Sequence, residues 1–501
     1  MRARAAALSI CALLAGCTDF DALSASFGVD GGAIDQAVPP EPDLATADLT
    51  STVDAGPNDD LAASCGDGQR GPGETDVDCG GACAPCDVGR ACSSNADCQT
   101  GSCENARCEL VSGPPSWVQV GAPPAGASTA PIARNDLRVE RGPDGNLYAF
   151  GGVDGSGAHL DDSEQLNQTT LAWSTQGQKL NNPRSLAAST ATPTAIYVMY
   201  GEKDSGFETS VERMSSAPTW GNVAMLTASV SGAGAAYGGD GKLYVVGGFD
   251  GANPLRTVRS FAPGDTSLGT PAMMATPRDR AGVAVGADGR VFALGGQNGG
   301  TTLATGEGYA IATNTWAPIA PLPEPRMGVP AVSAPDGRIY LAGGASISDS
   351  RIYRSVVAYA AGAAPAGDRW STPAPLAQAR QRHGVAVGIE GRIYVVGGSN
   401  LTGDLRTVEA YGPLVTVSPA NKQANMTVQV SGTNFARNAA VRFSLASATA
   451  PTIGVGTTDG TGTLGATTVL IPAGTPVGVT RLYATDARSR YPVSARLTID
   501  P

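Results

Sequence analysis

The string LYVVGG at residues 243–248 is one of six related copies in this chain. The others are LYAFGG (147–152), IYVMYGE (196–202), VFALGG (291–296), IYLAGG (339–344) and IYVVGG (393–398). Aligned on a first glycine at 151, 201, 247, 295, 343 and 397, they are 50, 46, 48, 48 and 54 residues apart. One such β-branched and aromatic run is too short to bury a core. Six at this period predict a radial array of small antiparallel sheets, a β-propeller. Asp240-Gly241, Asp288-Gly289, Asp336-Gly337 and the variant Glu390-Gly391 precede four copies, as hairpin turns do.

An acidic residue lies about a dozen positions after the glycines in four copies: Glu164, Glu212, Glu307 and Glu409. A tryptophan strand closes four copies, at Trp173, Trp220, Trp316 and Trp370. The fifth tryptophan, Trp117, precedes the first copy, whereas the last copy ends at Tyr411 without one. This predicts circular closure, with a strand Trp117–Val120 completing the final sheet and leaving no open edge. Glycine pair, acidic position and tryptophan together resemble the kelch repeat, over residues 115–412. The resemblance implies an all-β chain with a six-bladed kelch-type propeller. The second and third blades are expected to be irregular. One has Gly201-Glu202 in place of a glycine pair; the other lacks tryptophan and has Arg259 near the acidic position.

Seventeen residues before the first glycine stand Arg134, Arg184, Val230, Arg278, Arg326 and Arg380. Positions equivalent by repeat are equivalent around a propeller axis, so five arginines form a ring. In kelch proteins the first strand of each blade lines the central channel, which implies a ring near one mouth. One reading makes it a binding site for an anionic ligand such as an acidic sugar, because guanidinium matches carboxylate bidentately. The other pairs each arginine with its own blade's glutamate. The third copy lacks both residues, which favours pairing.

The flanks differ from the repeat. Residues 1–16 have Arg2 and Arg4 before an apolar run too short to span a bilayer. Leu14-Ala15-Gly16-Cys17 resembles a bacterial lipobox, which implies cleavage before Cys17 and its acylation. The resemblance also implies a place in the cell envelope, and Thr18 after the cysteine points to the outer membrane. Residues 17–64 hold ten acidic residues and no Lys or Arg, the composition of a disordered, self-repelling tether. Residues 65–108 carry Cys65, Cys79, Cys83, Cys86, Cys92, Cys98, Cys103 and Cys108 with few aliphatic residues. So short a segment needs disulfides, and eight cysteines leave the pairing open. Cys83-Ala-Pro-Cys86 has metal or redox spacing, but no βαβ pattern surrounds it. Its "ETDVDCGG" run resembles small cysteine-rich modules of bacterial surface proteins.

Residues 413–501 read as short strands at Pro413–Val417, Thr427–Ser431, Ala440–Ser444, Thr467–Ile471, Val479–Ala484 and Arg496–Ile499, an immunoglobulin-like pattern. SPANKQANMTVQVSGTNF and LIPAGTPVGVTRLYATD resemble the TIG/IPT class.

A formal charge of −11 argues against nucleic acid as a partner. A kelch propeller followed by an immunoglobulin-like domain resembles galactose oxidase, whose copper site needs two histidines and a cysteine-linked tyrosine. Here no cysteine follows Cys108, and the only histidines are His159 and His383, in different repeats. That chemistry is excluded, and no catalytic residue, metal site or cofactor is expected. The expected function is a lipid-anchored, non-catalytic platform for a protein or glycan partner. The alternative is an epimerase or lyase acting on an acidic sugar at the channel mouth.

Overall fold

The computed structural model describes residues 115–501 apart from 121–132, 169–171, 216–218, 226–227, 229, 266–267, 362–368 and 490. It also describes the strand pieces 28–29, 103–104 and 107–108. The chain divides into one unit of residues 1–30 and 113–501 and another of 31–112. Cys17, the acidic segment apart from 28–29, and the cysteines from Cys65 to Cys98 lie outside the described residues. Of the second unit, two short strands pair antiparallel, with Cys103 opposite Cys108. The described residues contain strands and no helix.

Every strand that ends at the glycines is buried along its whole length. This is why those runs are apolar without alternation: neighbouring sheets cover both faces. Five sheets follow chain order, beginning at strands Arg138–Arg141, Ala188–Ala191, Gly234–Tyr237, Gly282–Val285 and Ala331–Ser333. The last combines Gly384–Val387, Ile393–Val396 and Val408–Tyr411 with Trp117–Gln119 from the start of the propeller. Tyr411 lies opposite Trp117 in that pairing. Core clusters lie between successive sheets, and one joins the final sheet to the first through Tyr394, Val396 and Val408 against Leu137, Val139 and Ala149. The sheets form a β-propeller.

Two devices bring the sheets close. A Cβ at Gly384 would stand 2.2 Å from the Val139 side chain, and one at Gly234 2.3 Å from Val283. The innermost strands therefore meet through glycine. In addition, a glycine N–H from each sheet donates to a carbonyl in the next. Gly152 donates to Arg184 (2.9 Å), Gly201 to Val230 (3.1 Å) and Gly248 to Arg278 (2.9 Å). Gly296 donates to Arg326 (2.9 Å), Gly344 to Arg380 (2.8 Å) and Gly398 back to Arg134 (2.9 Å).

The second repeat corrects the alignment. Tyr200, with φ 58° and buried, occupies the place of the first glycine, and Gly201 that of the second. The turn Thr192–Ala195 is one residue shorter than Gly142–Asn146, so the two offsets cancel and Arg184 stays in register. The third sheet has three strands, and its fourth is reduced to a bridge between Ser260 and Gly269.

Residues 413–501 form two facing sheets. Leu414–Ser418, Thr427–Thr433 and Leu464–Leu470 make one. The other contains Asn421–Gln423, Pro492–Asp500, Gly478–Asp486, Ala440–Leu445 and Thr452–Thr457. Thr452–Thr457 was not expected; its alternating Thr and Gly resemble a turn, and its pairing with Ala440–Leu445 supplies the structure. The core of this sandwich is continuous with that of the last two propeller sheets through Tyr340, Tyr411 and Tyr491.

Candidate functional site: staples, channel and rim

The five arginines lie in the chain just before each first strand, and none is more than 1% exposed. Each guanidinium is turned into its own sheet. Arg278 Nη1 donates to the carbonyls of Gly295 (2.8 Å) and Thr305 (2.9 Å), and Nη2 to Glu307 (2.9 Å). Arg134 makes the same set with Gly151, Asp162 and Glu164, and Arg380 with Gly397, Thr407 and Glu409. Arg184 reaches Tyr200, Ser210 and Glu212. The glutamates also hold the preceding loop. Glu307 accepts from the Ala275 and Thr276 N–H groups, and Glu409 from Ala377 and Gln378. Tryptophan clasps the same loop farther out, as Trp316 Nε1 does on the Ala272 carbonyl at 2.8 Å.

The expectation that Arg134, Arg184, Arg278, Arg326 and Arg380 line a ligand site is corrected by this geometry. Their Nη groups are committed to carbonyls, hydroxyls and carboxylates inside the blades. Burial lowers the proton affinity of Arg278, and Glu307 opposes that effect. Blade five solves the same problem differently. Val357 occupies the acidic position opposite Leu341, and Glu324 approaches Arg326 from two residues upstream at 2.6 Å. In blade three Arg259 stands opposite Val245 at that position, and Val230 replaces the arginine. Loss of both partners there leaves no buried charge uncompensated.

A different ring surrounds the axis, fifteen residues before the aligned glycines: Asp136, Leu186, Gly232, Arg280, Gly328 and Arg382. All six have φ between 47° and 61°. Their backbones are linked around the axis. Gly232 N–H donates to Leu186 (2.9 Å), Arg280 to Gly232 (2.7 Å) and Gly328 to Arg280 (3.0 Å). Arg382 donates to Gly328 (2.8 Å), and Asp136 to Arg382 (2.7 Å). Between Asp136 and Leu186 the contact runs through a side chain instead, Arg138 Nε to the Ala187 carbonyl. Arg382 is paired with Asp136 through Nε at 2.7 Å. The same alignment that exposed the arginine ring contains this one. It was not read because its side chains differ and only the backbone conformation repeats.

Beyond the ring runs the central channel. Its narrow end has a volume of 80 Å³ and is lined by Asp136, Arg138, Glu140, Arg280, Arg382 and His383 among others. His383 is fully buried, and burial pushes its imidazole down to about 3, so it is neutral. The wide end, 860 Å³, is lined by Ala, Val and Thr of the blades together with Glu140, Arg141, Tyr237, Arg481 and Tyr483.

On the side of the ring, the loops after the glycines form an exposed rim and are braced against one another. His159 Nδ1 lies 2.8 Å from Asp204, Thr302 Oγ1 accepts from Ile347 N–H at 2.9 Å, and Asn135 Nδ2 donates to Asp404 at 2.8 Å. Leu401 is exposed at the tip of the last loop. Among the described residues no group of three His, Cys, Asp or Glu side chains is placed to hold a metal.

The in-register glycines, glutamates and tryptophans decide the repeat type. Two of the repeats are kelch motifs. The kelch motif family model matches residues 238–263 and 280–323, parts of the third and fourth repeats. No curated protein gives a significant match to the chain.

Proposed function

We propose that this is a lipid-anchored cell-envelope protein whose kelch propeller is a non-catalytic binding platform for a protein or glycan. In this reading residues 1–16 are a signal peptide, and acylated Cys17 holds the chain at the outer membrane. The 17–64 tether and the disulfide-linked 65–108 module lead to a six-bladed propeller over 115–412. A TIG/IPT-like immunoglobulin domain follows over 413–501. The observation that carries the reading is the rim. Its loops differ from blade to blade, as in Asp250-Gly-Ala-Asn against Asn298-Gly-Gly-Thr, yet stand on one braced scaffold. Loops fixed by a rigid frame are where recognition is placed. The epimerase or lyase reading loses its main support, because the arginines meant to hold an acidic sugar are buried in staples.

The test uses cell fractionation and capture together. The full chain is expected in the membrane fraction and Cys17→Ala outside it; a Cys17→Ala chain that stays with membranes overturns the anchor. Envelope extract or a glycan array is then probed with the full chain and with a variant carrying Asp250→Lys and Leu401→Asp. Partner capture should fall at least about tenfold in the variant, as for loss of one interface anchor. Capture unchanged in the variant places the binding surface elsewhere.

A further inference from the structure

The channel's narrow end gathers charge. Arg138, Arg280 and Arg382 line it with Asp136 and Glu140, three guanidiniums against two carboxylates. Asp136 is bonded to Arg382. Arg138 uses Nε on Ala187 and donates from Nη1 to Leu137 at 3.3 Å. Its Nη2 has no hydrogen-bond partner among the described residues. Glu140 accepts from Ser189 Oγ at 2.7 Å. The wide end shares Glu140, Val283, Ala331 and Val385 with the narrow end, so the two adjoin. Its walls include Ala191, Ala236, Val285 and Val387. The wide end has a mixed lining of Ala, Val, Thr and charged side chains, and the small floor carries three guanidiniums and two carboxylates.

We infer that this floor binds the carboxylate of a small monocarboxylic acid, held by Arg138 beside Glu140, with the acid's apolar part against Ala and Val side chains of the wide end. A floor of 80 Å³ admits a group the size of a carboxylate. Guanidinium supplies the directed donors such a group requires. With Glu140 ionised, a bound carboxylate would put two like charges side by side in a confined site, and one proton relieves that. Glu140 is suited to take it up. Burial pushes its carboxyl up to about 7, against the opposing effects of Ser189 and Arg138. The other groups facing the floor are Asp136 from the first blade, Arg280 from the fourth and Arg382 and His383 from the sixth, and His383 stays neutral near pH 7. Binding then draws one proton from solvent onto Glu140. This inference is independent of the rim and of the anchor.

The full chain is titrated with acetate and with benzoate at pH 6 and pH 8, following affinity by calorimetry or ligand NMR. A single carboxyl titrating near 7 and required in its protonated form makes affinity roughly tenfold tighter at the lower pH. Glu140→Gln, which mimics the neutral acid, should bind equally at both pH values, and Arg138→Gln should weaken binding at least about tenfold. No saturable binding of either acid at pH 6 up to about 10 mM overturns the site. So does a Glu140→Gln protein that keeps the tenfold pH dependence, a result that stands even if the Arg138 variant fails to fold.

Discussion

Arg278 illustrates what a buried charge does in this molecule. It closes the strand-end carbonyls of Gly295 and Thr305 and meets Glu307, which in turn holds two N–H groups of the loop before it. Removing one member leaves the other ionised in a place that water does not reach. Arg278→Ala is therefore expected to lower unfolding stability by about 3–5 kcal/mol. Arg290→Ala, which breaks a half-buried pair with Asp288, should cost no more than about 1 kcal/mol. Urea unfolding of the two variants separates the cases, and equal losses would show that the staple is no stronger than a surface pair. Arg278→Met combined with Glu307→Leu should recover part of the loss, because the stranded charge is gone. Recovery remains incomplete, since Ala275 and Thr276 lose their acceptor.

At the scale of elements, the strand Trp117–Gln119 is the clasp of the ring. Its three residues pair with Val408–Tyr411, Trp117 stacks on Tyr411 at 5.3 Å, and Trp117 Nε1 donates to the Ala374 carbonyl at 2.8 Å. Without it the last sheet presents an unpaired edge of buried residues. Trp117→Ala is expected to cost about 3–5 kcal/mol. A Pro substitution at Val118, which removes a ladder donor and kinks the strand, should expose the edge and promote self-association, measured by sedimentation. A variant that stays as stable as the parent chain and monomeric would mean that the strand is ornamental.

This element was legible in the sequence because Trp117 had no blade of its own. The glycine-ended strands were legible too, since burial on both faces forces an apolar run. Arg134 and its counterparts were legible as a ring but not as to direction. Spacing places a residue around the axis and does not say whether its side chain turns inward or into the blade. Tyr200 and the axial positions Asp136 and Arg280 show the other limit. Their positive φ is imposed by contacts between blades, and nothing in their side chains announces it. Glu140 and Arg138 have no equivalents in the other repeats, so alignment could not single them out.

For the whole molecule, the contact between propeller and sandwich decides whether the described chain behaves as one body in unfolding. Tyr491 enters between Tyr340 and Tyr411, with ring centroids 6.3 and 5.6 Å away and near-perpendicular planes. Its hydroxyl donates to the Gly391 carbonyl at 2.7 Å. Beside it, Ser494 N–H donates to the Glu390 carbonyl at 2.8 Å, and Asn434 Nδ2 to Ser116 (2.8 Å) and Gly412 (2.9 Å). The sandwich thereby touches both strands that close the ring, the one ending at Tyr411 and the one beginning at Trp117. Loss of the sandwich would uncover the clasp, and loss of the clasp would uncover the sandwich core. The propeller and sandwich are thus expected to melt in a single calorimetric transition. Tyr491→Ala should split it into two, because it removes a buried aromatic worth about 3–5 kcal/mol at the joint while leaving each core intact. Two transitions already present in the parent chain would show that the shared tyrosines do not couple the two parts.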